Sequence, residues 1–154
     1  MATVQDILAK KGSNIISVTP QETVLRAAQL MNERGIGGLV VTDGGRLAGI
    51  FTERDILRRV VAQRLDPAVA RVADVMTAPV TACAPDTPVD ECAALMTAKR
   101  IRHLPVVTDR GLAGVITIGD VMAFQVSEQQ ATIDYMHHFM FDLRSRHIRQ
   151  RLTP

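Results

Sequence analysis

The chain has 154 residues, 47% of them apolar and 22% charged, a balance that excludes a disordered chain and supplies enough apolar side chains for a core. No apolar run approaches the ~18–20 residues that span a bilayer, and Met1 to Gly12 mixes Gln5, Asp6, Lys10 and Lys11 with apolar residues instead of forming a signal peptide, so a cytoplasmic protein without membrane contact is expected. Residues 1–138 hold 14 Lys and Arg against 15 Asp and Glu, and residues 139–154 hold four Arg against Asp142; the body is no nucleic-acid footprint and a nucleic-acid partner is unexpected.

In chain order, Ile15 to Val18 predicts a short strand. Beyond Pro20, the residues Val24, Ala27, Ala28 and Met31 recur at helical spacing. Leu39-Val40-Val41 predicts a strand, Asp43-Gly44-Gly45 a hairpin turn and Leu47 to Phe51 the returning strand. Ile56, Leu57, Val60 and Val61 mark a second helix. The same order then starts again. Val80 to Cys83 predicts a strand, and Asp86-Thr87-Pro88 a helix start with proline early in the first turn. Val89, Cys92, Ala93 and Met96 follow at helical spacing, then the strand Leu104 to Val107, the turn Asp109-Arg110-Gly111, the strand Leu112 to Ile116, and a helix marked by Val121 and Met122.

This recurrence is an internal repeat, the feature with most power to decide a fold. At a shift of 65, Pro20 meets Pro85, Leu30-Met31 meets Leu95-Met96, Leu47-Ala48-Gly49 meets Leu112-Ala113-Gly114, Thr52 meets Thr117 and Asp55 meets Asp120. Upstream, Val4-x-Asp6-Ile7 matches Val72-x-Asp74-Val75 at a shift of 68, so the first copy has three extra residues. The expectation is an α/β (α+β) protein of two tandem β-α-β-β-α copies, residues 1–64 and 72–126, with a helical tail over 127–154. One such copy is marginal alone, and two packed together bury a shared core.

Both copies carry Gly-x-x-Thr-x-x-Asp where a strand enters a helix: Gly49, Thr52 and Asp55, then Gly114, Thr117 and Asp120. Thr-x-x-Asp is close to a capping box, in which hydroxyl and carboxylate satisfy first-turn amides. It also suits a nucleotide, since a helix N-terminus offers amides to a phosphate and an acidic side chain accepts from ribose hydroxyls. The spacing alone leaves both readings open.

The repeat, the element order, the Gly-x-x-Thr-x-x-Asp signature and the strand Arg102-His103-Leu104-Pro105-Val106-Val107 together resemble a pair of CBS domains, named for cystathionine β-synthase. The resemblance spans residues 1–126 and is closest to small stand-alone bacterial proteins associated with signal transduction. It implies a pseudo-twofold module with two clefts that take adenosine-containing ligands: AMP, ADP, ATP, NAD or S-adenosylmethionine. On this resemblance Thr52 and Asp55 serve one cleft and Thr117 and Asp120 the other, Asp for the ribose and Thr for a phosphate or ribose oxygen. Ile15, Ile16, Val80 and Thr81 would pack on the adenine, and Arg102 and His103 would meet phosphate. The first copy has Gly37-Gly38 at the latter positions, and Arg54, whose counterpart is Gly119, partly compensates.

Ile133, Met136, Met140, Leu143 and His147 form an apolar stripe on the tail, expected to pack on the body or on a partner subunit, so a homodimer is expected. Arg144, Arg146, Arg149 and Arg151 suit a helix C-terminus. His137-His138 point to different helix faces, Cys83 and Cys92 make no CxxC, and no metal site is expected. No Walker loop or nucleophile elbow is present. The expected function is therefore ligand sensing, with no catalytic cofactor, an adenine nucleotide as ligand and an unidentified downstream protein; the alternative is a ligand-free interaction scaffold.

Overall fold

The computed structural model describes residues 1–151, with side chains described as far as Leu143. Helix α1 (Val4–Lys11) opens with a capping box between Thr3 and Asp6, carries Lys10 and Lys11 in its last turn and ends on Gly12. Strand β1 (Ser17–Val18) is shorter than the expected Ile15 to Val18. Helix α2 (Val24–Arg34) starts at Thr23, whose hydroxyl accepts from the Arg26 amide, and stops at Gly35, which is left-handed. Strands β2 (Gly38–Asp43) and β3 (Arg46–Thr52) form the hairpin around Gly44 and Gly45. Helix α3 (Glu53–Asp55) continues into a π-helical stretch, Ile56–Val61.

The second copy follows with α4 (Val72–Val75), α5 (Val89–Lys99), β4 (His103–Thr108) and β5 (Gly111–Thr117). The last element, α6 (Ile118–Arg151), is one helix of 34 residues: the second copy's final helix and the tail are continuous. The sheets are not equal. The first has the order β1-β2-β3, with β1 parallel to β2, whereas the second contains only β4 and β5. The strand expected over Val80 to Cys83 is reduced to one parallel bridge, Cys83 to Val106, equivalent in the repeat to Val18 against Val41. The hairpins match in detail, for each has its bulge at the same repeat position, after Val41 and after Val106.

The approximate twofold symmetry is written in reciprocal backbone bonds. The Val4 amide donates to Thr87 O and the Val72 amide to Glu22 O; Gln5 donates to Pro85 O and Ala73 to Pro20 O; Val89 donates to Ala2 O and Val24 to Ala70 O. Each pair is one bond repeated in the two copies, and each crosses between them. The copies therefore exchange their first helices. Val4, Ile7 and Leu8 of α1 are buried with Val89, Cys92, Met96, Leu104 and Phe124 of the second copy. Val72 and Val75 of α4 are buried with Val24, Met31, Leu39 and Phe51 of the first. Lys10 Nζ, 4.7 Å from the Phe124 ring centroid, further ties α1 to α6.

Cys83 and Cys92 are free thiols of this second core. Burial pushes Cys83 up to about 12, with Cys92 beside it acting the same way. The tail does not fold back onto the body: Ile133, Met136, Phe139, Met140 and Leu143 are all exposed. The side chains of His147, Arg144, Arg146, Arg149 and Arg151 lie outside the described residues.

Candidate functional site: two unequal clefts

Residues equivalent in the repeat meet near the approximate axis. A Cβ on Gly38 would lie 3.0 Å from His103 Nε2, so glycine in the first copy makes room for the imidazole of the second. A cleft opens on either side of this junction, and Gly37, Ile50, Glu53, Arg102 and His103 line both.

The larger cleft has a volume of about 560 Å³, within the range of small-molecule sites. Ile16, Ile36, Leu39, Val40 and Val115 supply its apolar surface, and Thr117, Gly119, Asp120 and Lys11 its polar groups. Thr117 and Asp120 form the capping box: the Thr117 amide donates to Asp120 Oδ2 at 2.8 Å and the Asp120 amide to Thr117 Oγ1 at 3.2 Å. Lys11 Nζ donates to the same Oδ2 at 2.6 Å and to Val115 O at 2.8 Å. Asp120 is partly open, with 23% of its side chain exposed, and Oδ1 accepts none of these bonds. The helix N-terminus is less vacant than expected. The Ile118 amide is taken by Arg102 O, and the next residue of the first turn, Gly119, is in the cleft lining.

The smaller cleft, about 260 Å³, holds the other motif. Thr52 and Asp55 also form a capping box, with the Thr52 amide 2.9 Å from Asp55 Oδ2. Here the carboxylate is sealed. Asp55 is 5% exposed, the Thr77 hydroxyl donates to its Oδ1 at 2.9 Å, and Arg59 Nε stands 3.8 Å from the same atom. Thr77 arrives by pairing with Ile50 of β3 through two backbone bonds. Arg54 donates to Arg100 O at 2.6 Å, and Arg59 to Met76 O at 2.7 Å.

Of the sequence-derived site residues, the structure gathers Ile16, Arg102, His103, Thr117 and Asp120 in the larger cleft, and Thr52, Arg54, Asp55, Arg102 and His103 in the smaller. Ile15, Val80 and Thr81 do not line either cleft. Three residues that sequence reasoning passed over are prominent: Lys11, Arg58 and Arg100. Their signal was charge beside other charge, in Lys10-Lys11, Arg58-Arg59 and Lys99-Arg100, but nothing local shows that such a pair turns towards a cleft. The cations are also distributed otherwise than expected. Arg102 and His103 serve both clefts, and the smaller one gathers the further arginines. Burial holds His103 below the ordinary imidazole range, Arg102 and Lys11 push the same way, and Glu53 and Asp120 oppose them. Among the described residues no group of three or more His, Cys, Asp and Glu is placed to hold a metal, and no helix is long and apolar enough to cross a membrane.

Residues 4–62 and 72–127 each match the family model of the CBS domain. The mitochondrial CBS domain-containing protein CBSX3 of Arabidopsis thaliana is 34% identical over 147 residues, which cover 90% of this chain and 71% of that protein. A candidate signal-transduction protein with CBS domains from Burkholderia ambifaria is 44% identical, with a TM-score of 0.80 over 83% of this chain and 96% of that one. The CBS domain pair of protein MJ0100, solved in complex with 5′-methylthioadenosine and S-adenosyl-L-methionine, is 28% identical, with a TM-score of 0.73 over 83% of this chain and 98% of that one.

Proposed function

The chain belongs to the CBS-domain family, and on that premise we propose that it is a non-catalytic regulatory module that binds an adenosine-containing nucleotide in its larger cleft and relays the binding to a partner protein. The observation that carries this reading is the pairing of a partly open carboxylate, Asp120, with an apolar wall around Ile16 and Val40 contributed by the other copy. The ribose hydroxyls would donate to Asp120 Oδ1, the adenine would lie against the apolar wall, and the phosphate would meet Lys11, Arg102 and the Gly119 amide. Ligand binding by the MJ0100 pair supports the adenosine class. The two units of the module are taken as residues 1–64 and 72–126, with 127–154 as the segment that carries the signal outward.

The relay follows from Lys11. It bridges α1 to β5 and to the first turn of α6 through Val115 O and Asp120. A ligand that draws its ammonium onto a phosphate loosens α1 from α6, and α6 is the element that leaves the body. A ligand that binds only the native state raises stability by RT ln(1 + [L]/Kd), about 2.7 kcal/mol at a hundredfold excess over Kd. Thermal scans with AMP, ADP, ATP, NAD and S-adenosylmethionine test the reading on ligand-stripped protein. At least one should shift the transition in the parent and fail to do so in Asp120→Asn, which still caps the helix. No shift with any of the five sinks the adenosine reading.

A further inference from the structure

We propose that the smaller cleft is an oxyanion site of its own, which takes a small polyanion of the di- or triphosphate class without needing a nucleoside. The inference goes beyond the nucleotide reading, since it holds whether or not the larger cleft binds adenosine.

Five arginines line this cleft, Arg54, Arg58, Arg59, Arg100 and Arg102, against only Glu53 and Asp55. They do not form the solvated face of one helix. Arg54, Arg58 and Arg59 come from α3 and its π-helical continuation, Arg100 from the end of α5 and Arg102 from the approach to β4, so cations of both copies converge. Two of the five are builders: Arg54 is fixed on Arg100 O, and Arg59 on Met76 O and beside Asp55. The guanidinium groups of the other three, Arg58, Arg100 and Arg102, make no hydrogen bond or ion pair to any described residue. Guanidinium forks of this kind suit bidentate pairing with phosphate oxygens.

Two further observations point to an anion rather than a nucleoside. Asp55 has both oxygens engaged and is almost fully buried, so it has no acceptor to offer a ribose. In addition, Arg100 occupies the left-handed position that ends α5, at φ 54°, where the first copy has Gly35 at φ 61°. An arginine there is strained relative to glycine, and the charge it adds lies on the cleft wall. Like charge collected in excess of its counter-charges costs stability, which a bound polyanion relieves.

Calorimetric titration with inorganic tripolyphosphate, pyrophosphate and orthophosphate tests this, alongside ATP and adenosine. The proteins are the parent, Arg58→Gln/Arg100→Gln, Arg100→Gly, Asp120→Asn, and Arg26→Gln/Arg110→Gln as a control away from the cleft. Tripolyphosphate should bind the parent at one site per chain and raise its melting temperature. The Arg58/Arg100 double variant should lose about tenfold or more in affinity, as expected for lost charge-assisted bonds. Asp120→Asn and the control pair should bind as the parent does. Arg100→Gly relieves the left-handed strain, so it should melt higher yet bind tripolyphosphate more weakly, a split that a merely structural residue does not produce. Absence of tripolyphosphate binding to the parent overturns the proposal, as does equal loss in the control pair, which marks diffuse attraction to a basic surface. Binding of ATP without tripolyphosphate also overturns it, because the phosphates then need their nucleoside. Failure of all five adenosine-containing ligands in the thermal scans removes the nucleotide reading and leaves the tripolyphosphate result standing.

Discussion

His103 is the residue on which the two clefts turn, half-buried against Gly38 with Arg102, Lys11, Glu53 and Asp120 around it. Burial depresses its protonation in the fold, while in the unfolded chain the imidazole titrates near its ordinary value, about 6.5. The folded pKa lies below the unfolded one, so as pH falls through that window the unfolded chain binds the proton first. The stability this residue contributes is thus present above about pH 6.5 and is lost below it. Urea unfolding at pH 7.5 and 5.5 should show a larger loss for the parent than for His103→Gln, in which the titrating group is gone. Equal losses would place the pH dependence in the carboxylates instead. The contrast between Asp120 and Asp55 belongs to the same scale. Identical motifs differ because Thr77 and Arg59 close over one carboxylate, while the flexible Lys11 ammonium covers the other.

At the scale of elements, the exchange of α1 and α4 rests on a pair of glycines. A Cβ on Gly49 of β3 would stand 2.6 Å from Met76 Sδ and 3.1 Å from Thr77 O, and one on Gly114 of β5 would stand 2.8 Å from Leu8 Cδ2. Leu8 and Met76 are equivalent residues of the repeat, so each exchanged helix lies on the other copy's glycine. Gly49→Ala and Gly114→Ala should both destabilise by about 1–3 kcal/mol as overpacked sites. Gly49→Ala should lose more: Thr77 O is backbone, held by the Ile50 amide, whereas a Leu8 methyl can turn aside. Chemical unfolding measures the order. If neither variant departs from the parent by more than about 0.5 kcal/mol, the helices do not approach the strands this closely. The shared Leu-Ala-Gly of the repeat announced the strands, but not what the glycine admits. Periodicity likewise placed α2 and α5 and their buried faces, since Val24, Ala27 and Met31 follow a helical stripe. It was silent on which copy receives α1, because an amphipathic helix specifies a buried face and not its partner. The strand expected at Val80 to Cys83 failed for a related reason. The second copy is three residues shorter before it, and its approach is spent pairing Thr77 with Ile50. In the clefts, the motif residues were legible because they recur, and Arg54 and Arg102 because they adjoin the motif or the strand that carries the resemblance; Arg58 and Arg100 belong to neither, and no repeat partner of like charge marks them.

For the whole molecule, the exposed apolar residues are organised by the same symmetry. Leu57 and Val61, each 62% exposed, are the repeat counterparts of Met122 and Val126, at 58% and 63%. Each pair is four residues apart on the last helix of its copy, so the approximate twofold relates two exposed apolar pairs. The stripe then continues along α6 through Ile133, Met136, Met140 and Leu143 at spacings of three and four, none of them covered by the body. Exposed apolar side chains in this number mark an interaction surface, and a set that already has twofold character suits a second copy of the same chain. The expected state is a homodimer, with light scattering at micromolar concentration giving about twice the 16.8 kDa of the chain. Leu57→Glu combined with Met122→Glu should return it to a monomer of unchanged helical content, since both side chains are exposed and neither belongs to the two cores. Truncation after Ser127 separates the two parts of the surface: a weaker dimer assigns a share of the contact to the tail, and an unchanged one confines the contact to the helices of the body. A parent that scatters as a monomer overturns the dimer and leaves the apolar face to a different protein, which would then be the partner of the relay proposed through Lys11 and α6.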